Sequence, residues 1–349
     1  MPTPAGGKPA ALRPTPQLAA SDSTRPPRAW VGNAFGLRLE ADLPVLGLDQ
    51  RQVCTEPPQT LLRQAAPESI DAAWSPSAAE RLLDHRYPDG RVMMTVDAHP
   101  EHGYRIDAPG HGRFRVAADG SLVECAPAPG PAWRWHRPLC AQALPLAAAL
   151  NGMEILHASA VVVDGNAIAF FGHSGEGKTS LAIHLVDQGA ALMADDVVAL
   201  SAASAKLRAH PGVRFANVAE EQLESVAPDR RERLGRVIGR SEKLHILIDP
   251  MADAAAPLGA FYILHRRRSV RELEFERLWP PDPRLLFGAT FNSHVTTRVR
   301  MTAQLEVCSL IAERVATFRL RIPPSLGAAE LAPAVAVHAR QSCSPGSDC

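Results

Sequence analysis

The stretch Gly172-His173-Ser174-Gly175-Glu176-Gly177-Lys178-Thr179 constrains this chain more than any other. It follows the apolar run Ala167-Ile168-Ala169-Phe170-Phe171 and leads through Ser180 into Leu181-Ala182-Ile183-His184-Leu185, a pattern of helical period. Strand, glycine-rich turn and helix in that order, with the spacing G-x-x-x-x-G-K-T, are what a phosphate-cradling loop requires. Glycines at 172, 175 and 177 let the backbone take left-handed angles and turn its N–H groups onto an anion. The following helix adds unpaired N-terminal amides and its positive dipole end. The expected ligand is a nucleoside triphosphate held by residues Gly172 to Ser180. In that arrangement Lys178 reaches the β and γ phosphates and the Thr179 hydroxyl ligates Mg²⁺.

Composition narrows the partners. Lys plus Arg and Asp plus Glu are 37 each, which gives no support to nucleic acid or an anionic membrane as the main partner. No apolar run approaches a membrane span, and the Pro-rich start lacks the apolar core of a signal peptide, so a cytoplasmic location is expected. The six cysteines are scattered without C-x-x-C or zinc spacing, which predicts reduced, structural thiols.

Along the chain the texture changes several times. Residues 1–28 are rich in Pro, Ala, Thr and Ser, without apolar period, and are expected to be disordered. Residues 29–130 read as a β-rich N-terminal domain: short alternating runs at 36–40, 91–96 and 113–116 are separated by turn signals such as Pro88-Asp89-Gly90. One helix is expected at 77–86, where Ser77 and Glu80 have capping-box spacing. A stiff Pro-Ala-Pro-Gly-Pro linker at 127–131 opens the second domain, 131–340, with a tail at 341–349. That domain should begin with an apolar helix over 138–151. It continues with a hairpin from 156–163 through Asp164-Gly165 to 167–171, then the loop and a helix ended by Gly189. A buried strand at 190–196 follows, and a hairpin is expected from 260–264 through 265–269 to 270–278. An amphipathic helix over 302–317 should bury Met301, Leu305, Cys308, Ile311, Ala312 and Val315, before a strand at 318–322 and a helix at 328–339.

Asp195 and Asp196 are the informative pair for chemistry. Phosphoryl transfer to a hydroxyl needs one carboxylate to orient and deprotonate the acceptor and another negative group near the metal. Adjacent strand residues point to opposite faces, so both serve one site only if the strand ends or bends there. The alternative is that Asp195 is a Mg²⁺ ligand and Asp196 caps the next turn. His157, one hairpin arm before the loop, is either a structural histidine or a functional one. Arg240 and Lys243 could neutralise phosphoryl charge or lie in a solvated loop, and Arg266-Arg267-Arg268 reads as a solvated turn.

The ordered set Leu156-His157-Ala158-Ser159-Ala160, Gly172 to Thr179, and Gly189 through Asp195-Asp196 resembles the C-terminal catalytic domain of HPr kinase/phosphorylase. Phe35-Gly36-Leu37 and the Lys after a Ser near Lys243 look more like the divergent HPr-kinase-related proteins, some of which accompany lasso-peptide or other peptide-modification genes. The resemblance implies an α/β fold with α+β character: a P-loop kinase core of the HPr-kinase type beside a smaller β-rich domain. It implies ATP and Mg²⁺ as cofactors and a serine on a peptide or small protein as acceptor, and it is compatible with a homo-oligomer. Asp195, Asp196, His157 and Lys178 become the expected catalytic residues. Asp195 is the expected base, and Asp196 assists at the metal with Thr179 or pairs with His157. The stretch after the Asp pair departs from the family: His210 to Phe215 stands where a glycine-rich signature with a metal-ligating Glu is found. That departure and an N-terminal domain without an obvious match to the family argue against HPr itself as acceptor, the reverse phosphorolysis and a hexamer. A nucleotide-bound scaffold without acceptor chemistry, and a kinase of a small hydroxyl-bearing metabolite, fit the same residues.

Overall fold

Alternation of small and large side chains decides how the central sheet faces its helices. In the strand Asn166–Phe171, Ile168 and Phe170 enter one apolar layer while Ala167 and Ala169 enter the other. In Ala256–Arg266, Ala260, Tyr262 and Leu264 join the first layer, and Phe261 and Ile263 the second. Helices Lys178–Asp187 and Ala328–Ser342 cover the first face. Helices Pro283–Ala289 and Arg298–Arg314 cover the second. Each large apolar side chain buried in these layers contributes about 1.5–3 kcal/mol, enough to fix the register of every central strand. The result is a mixed α/β fold.

The structure, a computed structural model, describes residues 30–48, 57–72, 74, 78–203 and 206–343. The expected disordered segment 1–28, Ser77 and residues 344–349 of the tail lie outside them. Among the described residues, no helix is long and apolar enough to cross a membrane.

One edge of the central sheet collects the chemistry. Strand Ser159–Val163 lies between Asn166–Phe171 and Ala191–Ala194 and runs antiparallel to both. The two outer strands are therefore parallel, and their carboxyl ends emerge beside the start of the middle one. Strand Ala256–Arg266 pairs parallel with Asn166–Phe171 on its other side and ends at the same edge. Ligands in α/β sheets bind outside such carboxyl ends.

The N-terminal region forms an eight-stranded sheet. Its five strands from Glu80–Arg86 to Leu122–Pro127 make an antiparallel meander, joined through Thr60–Gln64 to Leu37–Ala41 and Trp30–Ala34. The helical segment from Ala132 to Leu150 packs into this sheet, with Leu139, Leu144 and Leu146 against Leu39, Leu62, Phe114 and Val123. A small sheet of Phe215–Val218, Leu244–Ile248 and Gly235–Arg240 completes the chain.

Four local expectations are corrected. Glu80–Arg86 is a strand, not a helix, because the Pro88-Asp89-Gly90 turn folds it onto Val92–His99 and pairing outweighs the capping-box spacing. Strands Ala256–Arg266 and Glu274–Leu278 form, but Ala316–Ile322 inserts between them, so they are no hairpin. The helix Arg298–Arg314 exposes Met301 and Leu305 and buries Arg300, Ala303, Gln304, Val307, Cys308 and Ile311. The face turned inward is the one where Gln304 and Arg300 reach polar partners, and apolar period alone does not register that. Arg268 lies in an exposed turn as expected, but Arg266 ends a strand and Arg267, though exposed, pairs with Glu176 at the glycine-rich loop.

Candidate functional site

The glycine-rich loop leaves the strand at Phe171 and ends where the helix begins at Lys178. Gly175 and Gly177 sit at φ +85° and +97°, and a Cβ on either would meet nothing within 4 Å, so the hollow they border is open. Gly177 is the helix N-cap and has no side chain to occupy the first amides, which therefore face the hollow. Glu176 points the other way. It is buried and accepts hydrogen bonds from the Arg266 backbone N–H (2.6 Å) and the Arg267 guanidinium (2.8 Å). Burial pushes its pKa up, but these donors outweigh that and hold it below the usual range. The loop is thus bolted to the end of the neighbouring parallel strand, while His173, Ser174 and Gly175 stay exposed.

Lys178 is buried and donates to the carbonyls of Gly172 (2.7 Å) and, at the limit of a hydrogen bond, His173 (3.4 Å). Burial lowers its pKa; the charges of Asp196 and Asp195 act against this, and that of Lys243 adds to it. Both carboxylates and a second ammonium therefore share the neighbourhood of Lys178.

Asp195 follows the last residue of its strand, Ala194, and Asp196 turns into the left-handed region at φ +69°. The strand ends there, so the two carboxylates avoid the opposed directions of neighbouring strand residues. Asp195 Oδ1 accepts from the hydroxyls of Thr179 (2.9 Å) and Ser159 (2.7 Å), and Oδ2 from the Asn217 backbone N–H (3.4 Å). Desolvation first, then the charge of Asp196, pushes Asp195 up to about 6 despite these donors. Asp196 is half exposed. His157 Nδ1 lies 3.0 Å from its carbonyl oxygen and 3.5 Å from its Oδ1, which assigns the ring proton to Nδ1. The His157 backbone N–H donates to Ala289 (2.7 Å), and its ring stacks on Phe291 at 6.2 Å.

His157, Lys178, Thr179, Asp195 and Asp196 therefore come together at one sheet edge. Ser180 lies in the first turn of the helix, and its side chain makes no hydrogen bond among the described residues. Arg240 is an exposed partner of Glu220. Lys243 is exposed and makes no ion pair among the described residues.

Sequence reasoning gave no role to Ser159 or Asn217. Each is a lone polar residue in an apolar run, Ala158-Ser159-Ala160 and Ala216-Asn217-Val218, and that irregularity is the signal that marks them. Asn217 Oδ1 also accepts from His245 Nδ1 at 2.6 Å, and Ser241 Oγ lies 3.0 Å from the other ring nitrogen.

The donors fit a small, hard dication. Thr179 and Asp195 offer oxygen ligands 2.9 Å apart, and Asp196 adds a second carboxylate next to them. Among the described residues, no three His, Cys, Asp or Glu side chains converge to hold a metal by themselves. The Thr179 and Asp195 oxygens match the demand of Mg²⁺, which takes one or two protein ligands together with phosphates and water.

No protein-family model matches the chain, and no curated protein matches its sequence. Among solved structures, the HPr(Ser) kinase/phosphatase from Coxiella burnetii is similar over 54% of this chain and 95% of that one, at 13% identity and a TM-score of 0.31. That likeness is a distant one of fold.

Proposed function

We propose that this chain is an ATP-dependent kinase that moves the γ-phosphoryl group to a serine hydroxyl on a peptide or small protein. The observation that carries the reading is the bond from Thr179 to Asp195, with the Asp196–His157 pair at the same edge. A phosphate hollow alone binds nucleotide; a second, accessible carboxylate oriented by a histidine gives an acceptor hydroxyl somewhere to leave its proton.

The roles divide by environment. Asp195 already accepts from two hydroxyls, that of Thr179 among them, so it stands on the metal side with Thr179. Asp196, half exposed, takes the acceptor proton. This exchanges the roles first expected of the two. His157 donates through Nδ1 to the Asp196 carbonyl and fixes that residue's left-handed turn. Loop amides and Lys178 bind the phosphates, Lys178 with the N–H donors of its ammonium that the Gly172 carbonyl does not take. Mg²⁺, when bound, neutralises charge on the β and γ phosphates.

In the transfer, the acceptor oxygen forms a bond to the γ phosphorus while the bond to the β,γ-bridging oxygen breaks. The electron pair leaves on ADP and the hydroxyl proton passes to Asp196. Purified protein incubated with γ-labelled ATP, Mg²⁺ and a library of serine-containing peptides tests this. Label on serine, lost in Asp196→Asn, is the expected result. Tight ATP binding with no labelled peptide would favour a scaffold, and label on a small hydroxyl compound a metabolite kinase.

A further inference from the structure

The helix Ala132–Pro138 brings to the Asp pair a cation that no sequence motif marks. A cavity of about 20 Å³ is lined by Asp195 and Asp196 together with Arg137, Cys140, Phe215 and Asn217. Arg137 is exposed and makes no hydrogen bond or ion pair among the described residues, although it borders the same cavity as two carboxylates. Its planar fork of donors is therefore uncommitted beside the Asp pair.

The frame that holds it is stiff. Trp133, one turn earlier on the same helix face, stacks on His245 at 4.4 Å. A Cβ on Gly239 would lie 2.5 Å from the Trp133 ring, so that strand fits the tryptophan only as glycine. His136 is buried, with its two ring nitrogens 2.6 Å from the Ala132 carbonyl and 3.2 Å from that of Pro44. Directly after Arg137 the helix widens into a π turn, Leu139–Ala143, a feature that concentrates at functional positions. Arg137 is also near enough to His245 for its charge to act on the imidazole that holds Asn217, whose backbone holds Asp195.

We propose that Arg137 reaches the transferring phosphoryl group from the side opposite Lys178 and stabilises the charge on its equatorial oxygens. The proposal rests on the kinase reading above. Arg137 stays protonated throughout: it donates hydrogen bonds to the γ-phosphoryl oxygens while the acceptor proton goes to Asp196 and the broken bond's electrons go to ADP. An arginine in this role contributes roughly 10³–10⁵ to the rate of phosphoryl transfer in other enzymes.

Nucleotide binding tests it without any acceptor. Affinities for MgADP and for MgADP with aluminium fluoride, a mimic of the transferring group, are compared in the wild type, Arg137→Ala and Arg137→Lys, with thermal melts to verify folding. The expected result is that aluminium fluoride tightens wild-type binding at least 30-fold. Arg137→Ala should lose most of that gain with MgADP affinity changed less than threefold, and Arg137→Lys should recover part of it. An equal gain in Arg137→Ala and wild type overturns the proposal and leaves the nucleotide site intact. A wild type that binds no MgADP overturns the kinase reading itself.

Discussion

Two acids, Asp195 and Glu154, are both pushed up by desolvation, yet their surroundings differ in kind. Asp195 rises to about 6, and both its oxygens have donors, two of them hydroxyls. Glu154 is fully buried and rises to about 7; its Oε1 accepts from Thr290 (2.7 Å), itself bonded to Gln304 (2.8 Å), and its Oε2 has no partner. Glu154 belongs to an enclosed network behind the 289–291 loop, whose Ala289 carbonyl and Phe291 ring hold His157. Asp195 opens through Thr179 onto the phosphate hollow. The lesson is that a raised carboxyl pKa does not mark a working acid; what it faces does.

The largest effect that would sharpen this contrast lies next door to Asp195. Asp196→Asn removes the accessible carboxylate and should lower the rate of transfer to peptide by about 10²–10⁴, the range for one general base, with nucleotide affinity nearly unchanged. Single-turnover transfer and nucleotide titration measure the two separately. A variant that transfers as fast as the wild type would return the base to Asp195.

Next comes the pH dependence of stability. A carboxyl whose folded pKa is raised favours the folded state when protonated, and that advantage is lost as pH rises through the folded value. For Asp195 the loss falls between about 4 and 6, and for Glu154 between about 4.5 and 7. At pH 7.5 without nucleotide, Asp195→Asn should therefore stabilise the protein by about 1–3 kcal/mol, with the gain fading below pH 4. Glu154→Gln should gain less, about 1 kcal/mol, because the new amide leaves its own donors short of partners. Adding MgATP should cancel the gain at Asp195, where the wild-type carboxylate then meets a cation, and leave that at Glu154 unaltered. Urea melts with and without MgATP read both. A gain at Asp195 that ignores MgATP would make the two acids alike.

What the sequence disclosed follows from the range of the interactions involved. The loop from Gly172 to Thr179 was legible because local backbone freedom and a local charge define it. Its strand and helix, and the stop at Gly189 with φ +101°, follow from the same local rules. Ser159, Asn217 and Arg137 were not legible in role, since each meets the Asp pair only through tertiary placement, 36, 22 and, across the cavity, nearly 60 residues away in sequence. Met301 and Leu305 misled for the opposite reason. They continue an apolar period that the fold does not use, because Gln304 and Arg300 have bonding partners on the inner side. Arg266 and Arg267 looked like a hairpin tip until a distant strand took the pairing position and Glu176 took their donors.

The smallest effect separates two cations that the sequence could not rank. Arg240 is fully exposed and spends its guanidinium on Glu220, so removing it disturbs only a solvent-screened pair. Lys243, three residues on, makes no ion pair among the described residues, and its charge acts on Lys178. Repulsion between two ammonium groups is unfavourable in the empty hollow and is relieved by an anion lying between them, so Lys243 gains most when phosphates bind. Lys243→Ala should weaken MgATP binding about three- to tenfold, with the largest loss at low salt, where unscreened charges act furthest. Arg240→Ala should leave the affinity within twofold. Equal losses for both would mean that the 240–243 turn contributes only diffuse positive potential, and the directed contact assigned to Lys243 would have to be withdrawn.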